Sequence, residues 1–420
     1  MNYNELSLTH FSAGEVVNTT GGTLENGTLS DTNTLSPEMK TFYDKTLITL
    51  AGASLIHEQF GQKRPIPKGS GKTIEFRKFS RLPKALTAIT EGVTPAGNKL
   101  SVSGVSCTVD QYGDYIEQTD MLELTAVDNT IVEATKELAA QAGLTLDTVV
   151  RNELIGGTNV MYAPLINGNS ETVITSRSDI TSECKLRVKD IFKAAAELKA
   201  VNAPKIGGSY VAIIHPYVAY DLMQEAGEQW VGITKYVNPE NILKGEIGTL
   251  GGVRFVESTE AKIFGPAVIN EGVTRAVLSA DATSSSTVTV NENLGVKTFE
   301  TPLEVFLAGE ENTVLSVNGN TVTLGKAVTA KAGDVLAGTG AGRNGDAVFC
   351  TLFLGENAYG VTDIEGGGLQ HIVKQKGYGN DPLNQRSSVG WKATKVAKRL
   401  LEEYIIRYES GSTFSQADEN

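Results

Sequence analysis

The residues that most often do chemistry are scarce in this chain: 420 residues hold only 4 histidines, 3 cysteines and 2 tryptophans. The histidines (His10, His57, His215, His371) are dispersed and none neighbours a cysteine, so no zinc spacing can be built from them. Gly61 stands where a second histidine would complete a metalloprotease motif after His57-Glu58. Cys107, Cys184 and Cys350 are odd in number and far apart, which excludes a disulfide framework and a CxxC metal site. They read as small buried hydrophobes kept in a reducing compartment. No run approaches eighteen uninterrupted apolar residues, so no spanning helix and no membrane partner are expected. Residues 1–20 lack a basic start and an apolar core, so no secretory leader is expected either. An excess of basic charge is also missing. The net charge of −12 argues against a dedicated nucleic-acid binder, though not against a protein that encloses nucleic acid.

Phosphate-binding signatures fail on inspection. Gly69-Ser-Gly-Lys-Thr73 has Ile66 where a P-loop needs its first glycine, and it enters a strand instead of a helix. Gly340-Ala-Gly-Arg-Asn-Gly345 matches GxGxxG in letters but precedes a strand, so it reads as a flexible junction. His215, at a strand end before Pro216, reads as a hydrogen-bonded histidine at the core edge. The charged run from Lys392 to Arg399 reads as a solvated face. No catalytic constellation, cofactor or metal site survives, and no enzyme is expected.

What the chain does have is strand alternation and one long helix. From Lys72 to Phe79, Ile74 and Phe76 alternate with Glu75 and Arg77; a return strand from about Ser101 to Tyr115 repeats the pattern with Val105, Cys107 and Val109. The connection of about twenty residues holds Pro83, Gly92, Pro95 and Gly97, far more than a tight hairpin needs. Such a ribbon is marginal alone in water, so it needs a partner, and a second copy of the chain is the natural one. Thr130-Ile-Val-Glu133 has capping-box spacing, and Leu138, Ala142, Leu146, Val150 and Leu154 then recur at helical intervals up to Gly156-Gly157. A helix is also expected from Pro37 to Phe60, after a loose N-terminal arm. Asn167-Gly168 and Asn318-Gly319 read as two-residue hairpin turns. Between about 270 and 345 aromatics nearly vanish, which marks a separate small β-domain inserted into a parent fold. It is expected either to buttress neighbouring subunits from outside or to bind glycans. The chain should close in strands and a polar tail.

The ordered set of Lys72-Thr-Ile-Glu-Phe-Arg77, Thr90-Glu-Gly-Val-Thr-Pro95, Gln111-Tyr-Gly-Asp-Tyr115, Ala212-Ile-Ile-His-Pro216, Gly252-Val-Arg-Phe-Val-Glu257, Gly355-Glu-Asn-Ala-Tyr-Gly360 and Val389-Gly-Trp-Lys392 resembles the major capsid proteins of tailed phages of the Enquatrovirus type. The resemblance covers about residues 36–265 and 347–408 and leaves 270–345 outside. It implies an α+β, Hong Kong 97-like capsid fold. An N-terminal arm (1–36) would precede a peripheral domain (37–71 and 119–204) with its spine helix at 130–155. An extended β-hairpin loop (72–118), an axial domain (205–269 and 346–390) and C-terminal strands and tail (391–420) would complete the parent, with 270–345 inserted. The implied function is a virion shell subunit that forms hexamers and pentamers of an icosahedral capsid in the cytoplasm of a bacterial host. Its partners would be further copies, a portal, scaffolding or decoration proteins, and enclosed DNA bound without sequence preference. The loop tip, with Arg81, Lys84, Thr90, Glu91, Val93 and Pro95, would touch a neighbouring subunit. The alternative is another virion structural protein, a decoration or tail-tube subunit.

Overall fold

The computed structural model describes residues 16–19, 22–25, 28–30, 56–79, 82, 84–86, 88, 91–92, 94, 97–125, 130–168, 170–227, 231–232, 246–308, 310–374, 376, 381 and 383–420. The chain divides into two compact units. The first holds Met1–Leu55, Lys63–Val149 and Val361–Ala397; the second holds Ile56–Gln62, Val150–Gly360 and Lys398–Asn420.

The first unit is organised by one long antiparallel pairing. Strand Asp110–Thr119 runs against Arg386–Arg399 in unbroken register from Thr119↔Arg386 to Asp110↔Lys395. Beyond the first strand lie Val16–Thr19, Gly22–Glu25 and Thr28–Ser30, and Gln370–Lys374 pairs with the far edge of the second. Alternation gives this sheet two faces. Tyr112, Ile116, Val389, Trp391 and Ala393 point to one side, where Leu138, Ala142 and Leu146 of the helix Thr130–Ile155 pack on them. Those helical residues are four apart, so they form one stripe on a rod of about 39 Å. Each buried leucine contributes about 1.5–3 kcal/mol. A polar bridge fixes the register of helix on sheet. Trp391 Nε1 donates to Gln141 Oε1 at 3.1 Å, and Gln141 Nε2 donates to Asp114 Oδ2 at 2.7 Å.

The second unit is built on a sheet ordered Val231–Gly232, Glu246–Leu250, Val253–Glu257, Tyr210–Ile214, Val348–Leu354, Ile405–Ser410 and Val160–Tyr162. Tyr210–Ile214 and Val348–Leu354 are buried at every residue, as expected of strands covered on both faces. Helices Val188–Ala200 and Pro216–Ala226 add Ile191, Leu198, Val218 and Leu222 to the same core.

Within this unit the region that begins near residue 270 forms its own six-stranded sheet, ordered Arg275–Val277, Val335–Gly338, Val296–Leu307, Glu310–Asn318, Thr321–Ala330 and Ala282–Thr289. The two outer strands meet: Ser279 N donates to Thr289 O at 2.9 Å and Asn291 N to Val277 O at 2.8 Å. The sheet is thereby closed into a small barrel. Its buried core is entirely aliphatic, from Ile269, Leu278 and Leu294 to Val305, Val314, Leu324 and Leu336. This explains the loss of aromatics seen in the sequence, since a six-stranded barrel leaves room only for compact side chains.

Several expectations need correction. The return strand of the ribbon stops at Thr108, and Asp110–Thr119 leaves it to enter the sheet, because its ten-residue partner is Arg386–Lys395. Of the helix expected from Pro37 to Phe60, residues 37–55 lie outside the described residues, and the stretch after Ile56 is a pair of turns closed at Ile56 O and Glu58 O. The capping box does not form. Thr130 already stands in the helix and donates its hydroxyl to Gln118 Oε1 at 2.8 Å, while Glu133 pairs with Lys136. Both Asn-Gly turns are displaced by one residue: Asn167 and Asn318 end their strands, and Gly168 and Gly319, each with φ of 62°, open the loops. A II′ turn wants glycine at that first position, which offers more than the Asn-Gly pairing alone suggests. The Gly340–Gly345 junction is tightly packed: Arg343 N donates to Ile180 O at 2.7 Å, and a Cβ on Gly342 would stand 2.4 Å from that same oxygen. The run Lys392 to Arg399 is not a solvated face. Lys395 is buried, and Lys398 and Arg399 both reach Glu153, at 3.3 and 3.4 Å.

Candidate inter-subunit interface

The ribbon pairs Thr73–Phe79 with Val102–Thr108 and forms, among the described residues, a sheet of two strands. Ile74 faces Cys107 and Phe76 faces Val105 across the strands, so all four side chains share one face. At the base this face is covered by the chain itself: Phe76 is 4% exposed, and Cys107 and Val109 are buried. Toward the far end, apolar residues of the opposite face and of the connection are exposed. Val102 and Leu100 are about half exposed, as is Leu82, and Leu86 is 85% exposed. Large apolar residues left in water along a narrow ribbon and its connection mark a candidate contact surface.

Of the six expected contact residues, Lys84 and Glu91 are exposed. Arg81, Thr90, Val93 and Pro95 lie outside the described residues. Sequence reasoning missed the leucines. Leu82, Leu86 and Leu100 carry no strand or helix period, yet isolated leucines in a Pro- and Gly-rich loop were the available signal.

A second surface lies on the first unit's sheet, on the face away from the long helix. Gly113, Tyr115 and Glu117 stand on one strand, Ser388 and Gly390 on the next, and Ile372 and Lys374 on the third. Large side chains on the outer strands flank small ones on the middle strand, which leaves an open trough of about 450 Å³. Glycine is required here by close approach. A Cβ on Gly390 would stand 2.7 Å from Tyr115 Cβ, and one on Gly113 would stand 2.6 Å from Trp391 O. Tyr115 is 60% exposed on the rim. Of the acids on the strand Asp110–Thr119 only Glu117 stands on this face, where it pairs with Arg386 at 3.9 Å, and Lys374 lines the opposite wall.

The second unit holds the polar groups that tempt a chemical reading, and its geometry assigns them to structure. His215 caps helix Pro216–Ala226, its Nδ1 accepting from Tyr217 N at 3.2 Å, and burial lowers its pKa to about 4. Cys350 is buried, and burial pushes its thiol up to about 12, which leaves no thiolate to react. Glu409, fully buried, accepts from Arg177 Nε at 2.7 Å and Nη2 at 2.6 Å and pairs with Arg407 at 2.9 Å. Burial opposes the Arg177 charge, but the hydrogen bonds and charge of Glu409 outweigh it and raise its pKa.

The polar tail expected at the end of the chain is clasped to the second unit. Asp221 accepts from Ser412 Oγ at 2.7 Å, Thr413 N at 2.9 Å and Thr413 Oγ1 at 2.5 Å, and Phe414 stacks on Tyr217 with ring centres 4.2 Å apart. Farther on, Lys262 pairs with Glu419 at 2.6 Å and the Asn420 side chain bridges Ile263 N and Ala261 O. Among the described residues no group of three or more histidine, cysteine, aspartate or glutamate side chains is placed to hold a metal ion. Nor is any helix there long and apolar enough to cross a membrane.

No protein-family model matches this sequence, and no curated protein matches it. Solved structures do. A chain from the capsid of Ralstonia phage GP4 superposes with a TM-score of 0.56 at 14% identity, over 90% of this chain and 96% of that one. A chain from the capsid of the cyanophage P-SCSP1u gives 0.51 at 14% identity, over 93% of this chain and 97% of that one. With one long helix among the described residues, a two-stranded ribbon and three larger sheets, the chain has the α+β fold of the subunits in those phage capsids.

Proposed function

We propose that this chain is the major capsid protein of a tailed, double-stranded DNA phage, and that copies of it form the hexamers and pentamers of an icosahedral shell around the genome. The observation that carries the reading is the fold likeness to capsid subunits over nearly the whole of both chains, joined to a ribbon end whose apolar residues one copy leaves in water. The finer assignment to the Enquatrovirus type rests on the motif order in the sequence alone. In this reading 72–118 is the extended loop that straps neighbours together, 130–155 is the spine of the peripheral domain, and 205–269 with 346–390 forms the axial domain. The barrel at 270–345 buttresses neighbours from the outer surface. Contacts repeated by symmetry close a shell, and the work of the subunit is mechanical and not enzymatic. The acidic net charge keeps the shell from adhering to the DNA it holds. Portal and scaffolding or decoration proteins are the remaining partners, and assembly belongs to the bacterial cytoplasm.

The test is electron microscopy and sedimentation of the purified protein at rising concentration. Capsomers and closed shells are expected. Rings or open tubes would favour the alternative of another virion structural protein, and a strictly monomeric species at all concentrations would overturn both readings.

A further inference from the structure

The segment that follows strand Ile405–Ser410 is pinned at two places and bears on the barrel between them. One pin is the clasp of Ser412 and Thr413 on Asp221. The other is a socket around Asn420. Its Oδ1 accepts from Arg151 Nη1 at 3.2 Å and Ile263 N at 3.0 Å, and its Nδ2 donates to Thr259 O at 3.1 Å and Ala261 O at 2.9 Å. Donors meet the amide oxygen and carbonyls meet its nitrogen, a pattern that fits a carboxamide and not a carboxylate. The main-chain oxygen accepts from Arg151 Nη2 at 3.2 Å and Lys262 Nζ at 2.6 Å. The Arg151 side chain is 4% exposed, so these bonds are shielded from water.

Between the pins, the Ser415 carbonyl joins two parts of the second unit. It accepts from Ala347 N, at the entry to strand Val348–Leu354, at 2.8 Å, and from Arg275 Nη2, on the first barrel strand, at 3.1 Å. Arg275 Nη1 donates to Gln416 Oε1, and its Nε donates to Gly345 O at 2.8 Å. Burial works against the Arg275 charge, so the guanidinium depends on these acceptors. The chain enters and leaves the barrel at a neck closed by Ala267 N and Thr339 O. A module on such a neck can tilt unless it is tied elsewhere.

We propose that residues 411–420 are a latch that seats the barrel, and that the socket formed by Arg151, Lys262 and the 259–263 backbone is its locking point, built to take a peptide segment carrying an asparagine. Held at Asp221 and at the socket, the segment keeps Ser415 and Gln416 under Arg275 and ties the barrel to Ala347. This device belongs to the single subunit and stands whether or not shells form.

Spin-label distances in the full chain test it. Lys326 on the barrel and Lys199 on helix Val188–Ala200 are exposed, and both are replaced by cysteine and labelled; Cys107, Cys184 and Cys350 are buried, so the background is low. The parent background should give one narrow distance distribution. Adding Asn420→Asp, which sets an acceptor against Thr259 O and Ala261 O, should release the tail to proteolysis and make the distribution about twice as broad. Arg275→Met should broaden it while the tail stays resistant, since both pins remain. Hydrogen exchange of the barrel strands should be unchanged in both variants. A released tail with a distribution as narrow as the parent's would overturn the seating role. A tail as resistant in Asn420→Asp as in the parent would overturn the socket as the locking point. Faster exchange throughout the barrel strands would mean unfolding in place of unseating, and would overturn the latch as well.

Discussion

Replacing Glu409 with glutamine removes one charge and almost no volume, so it isolates what that charge does. The carboxylate is fully buried, and it meets Arg177 at 2.7 and 2.6 Å and Arg407 at 2.9 Å. Its loss leaves two guanidinium groups facing a neutral amide that can accept from only one of them well. Breaking a buried ion pair by removing one partner costs about 3–5 kcal/mol, because the remaining charge has no compensation. That is a large share of a typical stability of about 5–15 kcal/mol. Urea unfolding of the unassembled subunit, followed by circular dichroism, should show the midpoint falling with little change in slope. A built-in control is Glu171, which meets Lys189 at the same 2.6 Å but on the surface. Glu171→Gln should leave the midpoint unmoved, since exposed pairs contribute little. A Glu409→Gln variant as stable as the parent would refute the claim that burial, not distance, gives the cluster its weight.

Three further outcomes follow from local geometry. The pKa of His215 is about 4 in the fold against 6.5 in the open chain, so its contribution is complete above pH 6.5 and declines by about 1.4 kcal/mol per pH unit down to pH 4. His215→Asn keeps a capping side chain and should flatten urea midpoints compared at pH 7 and pH 5. Burial raises the Asp221 pKa, but hydrogen bonds from Thr413 and Ser412 and the charge of Lys185 bring it below its ordinary value. The tail clasp should therefore hold at neutral pH and weaken only below about pH 4. Proteolysis of the tail at pH 7 should accelerate in Asp221→Asn and stay slow in the parent; equal rates would dismiss the clasp. Gly390→Ala pushes a methyl against Tyr115 and Asp114 O, and should cost about 1–3 kcal/mol with no loss of the long helix by circular dichroism.

The parts legible in the sequence are those whose pattern is local. The helix Thr130–Ile155 was readable because its apolar residues repeat at one interval and Gly156-Gly157 stops it. The ribbon was readable because Ile74 and Phe76 alternate with charges, although the same alternation ran on past Thr108 and hid the change of partner. The capping box failed because Gln118, twelve residues upstream, competes for the Thr130 hydroxyl. The trough was invisible for a different reason. Its walls come from 113–117, 372–374 and 388–391, and only the register of three strands brings Gly390 beside Tyr115. The tail's clasp was hidden for the same cause: Asp221 and Thr413 are 192 residues apart, and nothing near either one announces the other.

The barrel's entry and exit segments touch each other, with Ala267 N bonded to Thr339 O at 2.8 Å and Gly338 lying against Ala267. To the rest of the chain the whole module is therefore a detour that starts and finishes at one spot. Such a detour can be shortened, exchanged or enlarged without stretching the host strands on either side. It is a natural plug-in position, where a foreign domain with adjacent termini could be carried while the parent fold keeps its own closure.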